Sequence, residues 1–264
     1  MKILNYILSI ITLALLAACG GGDSSAPPSS WVGTKQLGVA DQITYGNAVG
    51  TDTSGNVYVT GSTTGGLDGN TLAGAYDFYV TKYNNSGVKL YTKQLGVASA
   101  VTVGTAVATD ASGNVYVAGY TEGSLDGNAL TGTDDFFVTK YNSSGVKQFT
   151  RQLGAASAAT FANEVATDAS GNVYVVGATN GSLDGNTLTG TDDFFVTKYD
   201  SNGVKQFTRQ LGVASKETDG NGVRTDANGN FYVAGATSGA LDGNALMGTY
   251  DFFVTKYNSS GVKQ

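Results

Sequence analysis

Repeated aspartates are the residues of this sequence whose type and spacing first suggest chemistry, because carboxylate oxygens bind calcium. The segment Leu-Asp-Gly-Asn occurs four times, and another aspartate lies just downstream of each copy. Calcium takes six to eight oxygen ligands, usually with several converging carboxylates. The alternative is a turn, in which Asp bonds its own backbone and Gly adopts positive φ, and the sequence favours it. The calcium candidates are Asp68, Asp126, Asp184 and Asp242, followed by Asp77, Asp135, Asp193 and Asp251.

A second repeated segment, Asp52-Thr53-Ser54-Gly55-Asn56 in the first copy, is similar to a fragment of a calcium loop. It lacks the spacing and the distal Glu of an EF-hand. An Asp that opens a hairpin and a Gly with positive φ explain the same residues. The segment therefore predicts a hairpin turn.

The composition argues against several kinds of catalysis. The chain has 264 residues, with no His, one Cys and a net charge of −6. Without His it lacks the commonest general base and the commonest transition-metal ligand. An acidic chain with few Arg is also poorly suited to nucleic acid. We expect no cofactor and no enzymatic activity, although an acid pair could serve a glycosidase acting on glycans.

Charged residues that are not repeated are the better candidates for a binding site. In a repeat protein, residues that build every copy recur, whereas residues that bind one ligand need not. The alternative is drift in solvated loops, which vary by default. The speculative ligand-binding residues are Glu164, Lys216, Glu217, Asp219 and Arg224.

The elements that must position these residues come from one unit repeated four times with a period of 58 and no gaps. Short β-branched and aromatic runs separated by turn residues predict four strands in each copy. In the second copy they are 106–110, 114–119, 135–141 and 146–153. Both faces of the third strand carry large side chains, which favours sheets stacked face to face, as in a β-propeller. The chain is predicted to be all-β, with repeats 37–94, 95–152, 153–210 and 211–264 plus 31–36.

The repeated segments Thr-Asp-Ala-Ser-Gly-Asn-Val-Tyr-Val-Ala-Gly and Asp-Phe-Phe-Val-Thr-Lys-Tyr resemble the SBBP class of β-propeller repeat, a relative of the NHL repeat. The resemblance covers residues 37–264 and implies a propeller. The class name refers to seven blades, whereas this sequence has four repeats. The resemblance therefore does not specify whether the four blades close into a ring.

The ends of the repeat region bear on closure. The fourth copy lacks the segment Phe-Thr-Arg-Gln-Leu-Gly, and a matching segment precedes the first copy at residues 31–38. We expect this N-terminal strand to complete the fourth blade and close a monomeric ring. The alternative is an open arc of blades, or one that pairs with a second chain.

The N-terminal residues predict a secretion signal and a lipid anchor. Residues 1–18 have the basic start and apolar run of a signal peptide, and Leu16-Ala17-Ala18-Cys19 resembles the lipobox of bacterial lipoproteins. The resemblance implies cleavage before Cys19 and its lipidation, followed by a flexible tether over 19–30. Gly20, rather than Asp, after the cysteine implies the outer membrane, and exposure at the cell surface is a further expectation. Together with the repeats, these features make the chain similar to SBBP-repeat lipoproteins of spirochetes such as Leptospira.

The expected function is that of a membrane-anchored lipoprotein which presents a β-propeller as a binding scaffold for a protein or glycan at the cell envelope. A glycan-acting propeller enzyme is one alternative. A degenerate paralogue without a specific ligand is another.

Overall fold

The computed structural model describes residues 30–264. The predicted signal peptide, Cys19 and nearly all of the tether lie outside the described residues. Within that range the chain is all-β apart from single 3₁₀ turns at Leu67–Gly69, Leu125–Gly127 and Leu241–Gly243. In this part of the chain, no helix has the length and apolar character needed to cross a membrane.

The strands form four antiparallel sheets in chain order, one for each repeat, which we call blades 1 to 4. Blades 1 to 3 have four strands, and blade 4 has three among the described residues. Blade 1 consists of β1 (Thr44–Thr51), β2 (Val57–Thr63), β3 (Asp77–Tyr83) and β4 (Lys89–Leu95), and blade 2 of β5 (Thr102–Thr109), β6 (Val115–Thr121), β7 (Asp135–Tyr141) and β8 (Lys147–Leu153). Blade 3 consists of β9 (Thr160–Thr167), β10 (Val173–Thr179), β11 (Asp193–Tyr199) and β12 (Lys205–Leu211), and blade 4 of β13 (Thr218–Thr225), β14 (Phe231–Thr237) and β15 (Asp251–Tyr257).

The hairpin between the first two strands of each blade is closed by its aspartate, as the sequence predicts. In blade 1, one Asp52 oxygen accepts the backbone N–H groups of Ser54 and Asn56, each at 3.0 Å. The other oxygen accepts the Asn56 amide at 2.8 Å and the Tyr58 hydroxyl at 3.0 Å. Burial alone would raise the pKa of Asp52, but these donated hydrogen bonds leave it below its usual value.

A bulge in the first strand of each blade ties neighbouring blades together. In blade 3 it leaves Asn163 as the extra residue between Ala162 and Glu164. The Asn163 amide donates to the carbonyl of Gly220 in blade 4 at 3.0 Å, and Asn47 donates in the same way to Gly104 at 2.9 Å. The first strands of successive blades thus lie side by side, which makes them the inner strands of the assembly.

Large side chains on both faces of the third strands form the core between blades. Phe136 stacks on Phe195 of blade 3, with ring centroids 4.9 Å apart, and Phe137 stacks on Phe78 of blade 1 at 4.8 Å. All four rings are fully buried. The alternation expected for a sheet packed on both faces is therefore confirmed, and the hydrophobic core runs between the blades.

The two outer faces of this row of blades are unlike the internal ones. Phe252 of blade 4 is 88% exposed, although its repeat counterparts in blades 1 to 3 are fully buried. In blade 1, Val49 is 68% exposed, whereas its counterparts are 7% exposed or less. Closure of blade 4 onto blade 1 is not observed within residues 30–264.

The predicted completion of blade 4 by residues 31–36 is also not observed. This segment forms no strand, and β15 pairs with β14 and otherwise only through a bridge between Tyr257 and Lys263. Instead, Trp31 packs edge-on against Tyr83 of blade 1 at 5.8 Å. The physical reason is that an outer strand needs a free sheet edge beside it, and the edge of β15 does not reach this segment.

Candidate functional site

The four calcium candidates are each paired with a lysine that lies 21 residues further along the chain. Each of these aspartates has a positive φ between 54° and 56° and lies in the turn that the sequence predicts. A positive lysine on the carboxylate occupies the position that a cation would take. The pairs are Asp68–Lys89, Asp126–Lys147, Asp184–Lys205 and Asp242–Lys263.

The downstream aspartates are structural as well. In blade 2, the buried carboxylate of Asp135 accepts the backbone N–H groups of Thr131 and Gly132 at 2.8 Å and the amide of Gln152 at 3.0 Å. It thus organises the loop that leads into β7. Across residues 30–264, no group of three or more His, Cys, Asp or Glu is placed to hold a metal ion.

Four of the five unrepeated charged residues lie in two separate places, and Lys216 belongs to neither. Arg224 pairs with Glu164 at 3.4 Å on the inner strands of blades 4 and 3, where the arginine is 74% exposed. Glu217 and Asp219 lie at the opposite end of β13. Asp219 and Arg224 are five positions apart on this strand, or about 16 Å in extended conformation. The predicted cluster is therefore not one site.

Lys216 belongs to the loop before β13 rather than to either group of charges. Its carbonyl accepts the backbone N–H of Thr191 at 2.9 Å, and its own N–H donates to Val213 at 2.9 Å. Its side chain is exposed and makes no ion pair with any residue in the described range. The loop holds the neighbouring Glu217 at the end of the strand.

Asp219 lies in a groove of about 440 Å³ that spans the inner ends of blades 2 to 4. One wall is aromatic, where Tyr120 meets the partly exposed Phe161 edge-on, with centroids 4.9 Å apart. Asp219, Asp192 and the exposed Asn221 also line the groove. The sequence reasoning placed only Asp219 in a site. The signal for Tyr120 is that the other copies have Ser62, Ala178 and Ala236 at its position.

The groove concentrates negative charge. Burial and the nearby carboxylate of Glu217 raise the pKa of Asp192. Burial, together with the charges of Asp192 and Glu217, raises the pKa of Asp219. Glu217 accepts the hydroxyl of Tyr250, and this hydrogen bond raises the pKa of that tyrosine. Such a wall favours ligands that carry positive charge or many hydroxyl donors.

The raised pKa of Asp219 predicts a pH dependence of stability. The folded chain binds this proton more tightly than the unfolded chain, whose aspartate has a pKa of about 3.9. The stability that this group contributes is therefore complete below about pH 4 and is lost as the pH rises. Asp219→Asn should therefore reduce the fall in the free energy of unfolding between pH 4 and 7.

Urea unfolding at both pH values measures this difference. Asp41→Asn, at an exposed aspartate of blade 1, is the control and should follow the wild type. An identical pH dependence in Asp219→Asn and the wild type would contradict the prediction.

The family model for the SBBP β-propeller repeat matches residues 32–68, 90–126, 148–184 and 206–241. Regulatory protein FlaEY of Caulobacter vibrioides is 27% identical over 221 residues, which cover 72% of this chain and 22% of that protein. The chain thus spans less than a quarter of that relative's length.

Two solved structures are similar at low identity. One is an ulvan lyase of a polysaccharide lyase family, with a TM-score of 0.45 and 11% identity, covering 83% of this chain and 55% of the lyase. The other is a protein of unknown function from Dyadobacter fermentans, with a TM-score of 0.44 and 11% identity, covering 88% of this chain and 69% of that one.

Proposed function

We propose that this chain, which belongs to the SBBP β-propeller repeat family, is a membrane-anchored binding module of the bacterial envelope. Its ligand would occupy the groove between Phe161 and Asp219. The chain is a scaffold of propeller repeats with a regulatory protein among its relatives. The ligand, the anchor and the location are the parts that we propose.

The observation that carries this proposal is the difference between repeated and unrepeated carboxylates. The repeated ones are used in building the blades, as Asp52 is in its hairpin and Asp135 in its loop. In contrast, Asp219 is not repeated and faces a groove, and no ion pair forms on it in the described part of the chain. A carboxylate kept in a partly desolvated groove without a structural partner fits a role in binding.

The walls of the groove indicate the kind of ligand. Phe161 and Tyr120 offer apolar surface on which a sugar ring or an aliphatic side chain can pack. Asp192, Asp219 and Asn221 offer oxygens that accept hydrogen bonds from hydroxyl or ammonium groups. We therefore favour a neutral glycan or a basic protein segment. The negative charge of the groove disfavours binding of an anionic polymer such as nucleic acid.

The anchor rests on the sequence at residues 16–19. Lipid on Cys19 would hold the module on a membrane, since each buried CH₂ contributes about 0.8 kcal/mol. The polar, Gly-rich residues between Cys19 and the first described residue would act as a tether. The outer membrane is the location that we propose.

A second candidate is a glycan-cleaving enzyme, because two carboxylates with raised pKa values line the same groove. Glycosidases use such a pair, one as acid and one as base or nucleophile. We favour binding, since Asp192 has a repeat counterpart in Asp134. Release of reducing ends from a bound glycan, and its loss in Asp219→Asn, would identify the enzyme instead.

The experiment for the binding role uses the full chain in its membrane and a photo-crosslinking residue at Ala178, which lines the groove and is partly exposed. The matched control carries the same residue at Val146, which is 58% exposed on a hairpin of blade 2. A glycan array tested with the same protein covers carbohydrate ligands.

We expect capture from Ala178 but not from Val146, and a fall of at least about tenfold in binding when Phe161→Ala and Asp219→Ala are combined. Cys19→Ser should leave the protein in the soluble fraction. Equal capture from both positions, or full binding by the double variant, would count against the groove as the site.

A further inference from the structure

The outer faces of blades 1 and 4 are complementary, and the internal interfaces of the chain show what kind of face packs on each of them. At every internal interface, two different faces meet. The face of one blade that carries Phe136 or its repeat counterpart packs on the face of the next blade that carries Val107 or its repeat counterpart. Blade 4 ends the row with the first kind of face open, at Phe252 and Val254, which are 88% and 66% exposed. Blade 1 begins the row with the second kind open, at Val49.

Residues 31–38 already occupy half of the missing interface. Arg151, on the outer strand of blade 2, donates to the carbonyl of Gly203 in blade 3, which lies 52 residues later. Lys35 has the same spacing to Gly87 and lies against it, so closely that a Cβ on Gly87 would fall 2.5 Å from Lys35 Cε. The segment therefore sits on blade 1 as the outer strand of a preceding blade would.

The sheet that this outer strand belongs to is missing beside it. In the complete blades the glycine after the outer strand abuts a buried carboxylate, as Gly96 abuts Asp77. Gly38 has nothing within 4 Å of the equivalent position. Between the segment and Val57, Val59 and Tyr79 of blade 1 there is a gap of about 540 Å³. A third strand with its phenylalanine fills this place at the internal interfaces.

Blade 4 has the matching gap. A groove of about 500 Å³ runs along β15 and is lined by Leu241, Asp251, Phe253 and Thr255. In blade 1 the equivalent space holds β4, whose Gln94 donates to Asp77 at 2.9 Å and accepts the N–H of Leu67 at 2.9 Å. Residues 34–38 repeat the sequence of 92–96, Thr-Lys-Gln-Leu-Gly, and so carry the glutamine that blade 4 lacks.

We infer that two copies of this chain associate head to tail, with blade 4 of each copy packed on blade 1 of the other. Residues 31–38 of one copy then form the outer strand beside β15 of its partner. Each copy has one open face of each kind, so two identical contacts join the pair with twofold symmetry in a ring of eight blades. Eight lies within the range usual for propellers.

The repeat period specifies the contacts of this interface. Phe194 stacks on Phe253, 59 residues later, at 5.1 Å; the same offset places Phe252 on Tyr79 of the second copy. The offset from Asn163 to its acceptor Gly220 places the amide of Asn221 on the carbonyl of Gly46. Gln36 would bridge Asp251 and Leu241 as Gln94 bridges Asp77 and Leu67.

A second copy fits better than closure within one chain, because in one chain the two halves are present but apart. The 31–38 segment is docked on blade 1, and yet Phe252, Val254 and the edge of β15 are uncovered. An exposed edge strand with apolar neighbours is a surface that pairs with another chain.

Native mass spectrometry of the full chain, released from detergent, counts the copies in the particle. We expect two copies for the wild type. Phe252→Glu should weaken dimerisation by at least about 100-fold, because the new charge would be buried without a partner. The control Val146→Glu, on an exposed hairpin, should leave the dimer intact. Neither substitution lies in a folded core, so both chains should keep their fold.

Hydrogen exchange gives the second measurement. The outer-edge amides of β15 should be protected in the wild type and exchange in Phe252→Glu. A wild-type monomer with protected β15 amides would mean closure within one chain and would overturn the proposal. A monomer with unprotected amides, or a ladder of longer oligomers, would also overturn the two-copy ring.

Discussion

Replacing Phe136 with alanine is expected to lower the free energy of unfolding by about 3–5 kcal/mol. The ring is fully buried between blades 2 and 3 and stacks on Phe195 with centroids 4.9 Å apart. Removing it takes away the transfer free energy of the ring and leaves a cavity that packed sheets on both sides cannot easily fill. Since Phe136 joins two blades, the loss should weaken the row as well as one sheet.

The repeat supplies a matched control at the same position of another blade. Phe252 has the same neighbours in sequence but is 88% exposed. In a single chain, Phe252→Ala should therefore change the free energy of unfolding by no more than about 0.5 kcal/mol. Urea unfolding followed by circular dichroism, at concentrations where the protein is monomeric, measures both variants. Equal losses in the two would mean that blade 4 is covered in the monomer, contrary to the arrangement described above.

The third strands show how much of the fold the sequence predicts. The run Asp-Phe-Phe-Val-Thr-Lys-Tyr predicts a strand at 135–141, and β7 spans those residues. Its large side chains alternate, so both the strand and its burial on two faces can be read directly. The first strand of the same copy is predicted at 106–110 but spans Thr102–Thr109. Its extra residues, Thr-Val-Gly-Thr at 102–105, lie at a bulge after Gly104, which hides the period-two pattern.

The outer strand shows where sequence alone is insufficient. Thr-Lys-Gln-Leu-Gly lies within and just after strand β4 at 92–96, yet the same five residues at 34–38 form no strand. The difference is the neighbour, since β4 has the edge of β3 beside it. A strand is defined by its partner as much as by its residues. The sequence could therefore identify the piece but could not specify which sheet edge it meets.

The candidate site was predicted in part for a similar reason. Lack of repetition selects Glu217 and Asp219, whose charges interact, and it also selects Glu164 and Arg224, which pair elsewhere. Strand length separates the two sets, and their residue types do not reveal it. Tyr120 and Phe161 come together only because blades 2 and 3 are adjacent, so a contact between repeats was needed to find the aromatic wall.

Asp135→Ala is expected to lower the free energy of unfolding by about 3 kcal/mol or more, because it leaves several buried donors without an acceptor. The backbone N–H groups of Thr131 and Gly132 and the amide of Gln152 all donate to this carboxylate. Gln152 in turn accepts the N–H of Leu125 at 2.9 Å, so the loss extends to a second loop position. Asp135→Asn should lose less, since its amide oxygen still accepts some of these bonds.

Asp251 is the matched position for this network. It accepts the backbone N–H groups of Met247 and Gly248, but it is partly exposed and, among the described residues, has no glutamine beside it. Water can replace the lost acceptor there, so Asp251→Ala should cost only about 1 kcal/mol in the monomer. Urea unfolding of the two alanine variants compares the same substitution with and without the outer strand. Equal losses would show that the glutamine and the outer strand add nothing to the carboxylate, and that the loop alone accounts for its stabilising effect.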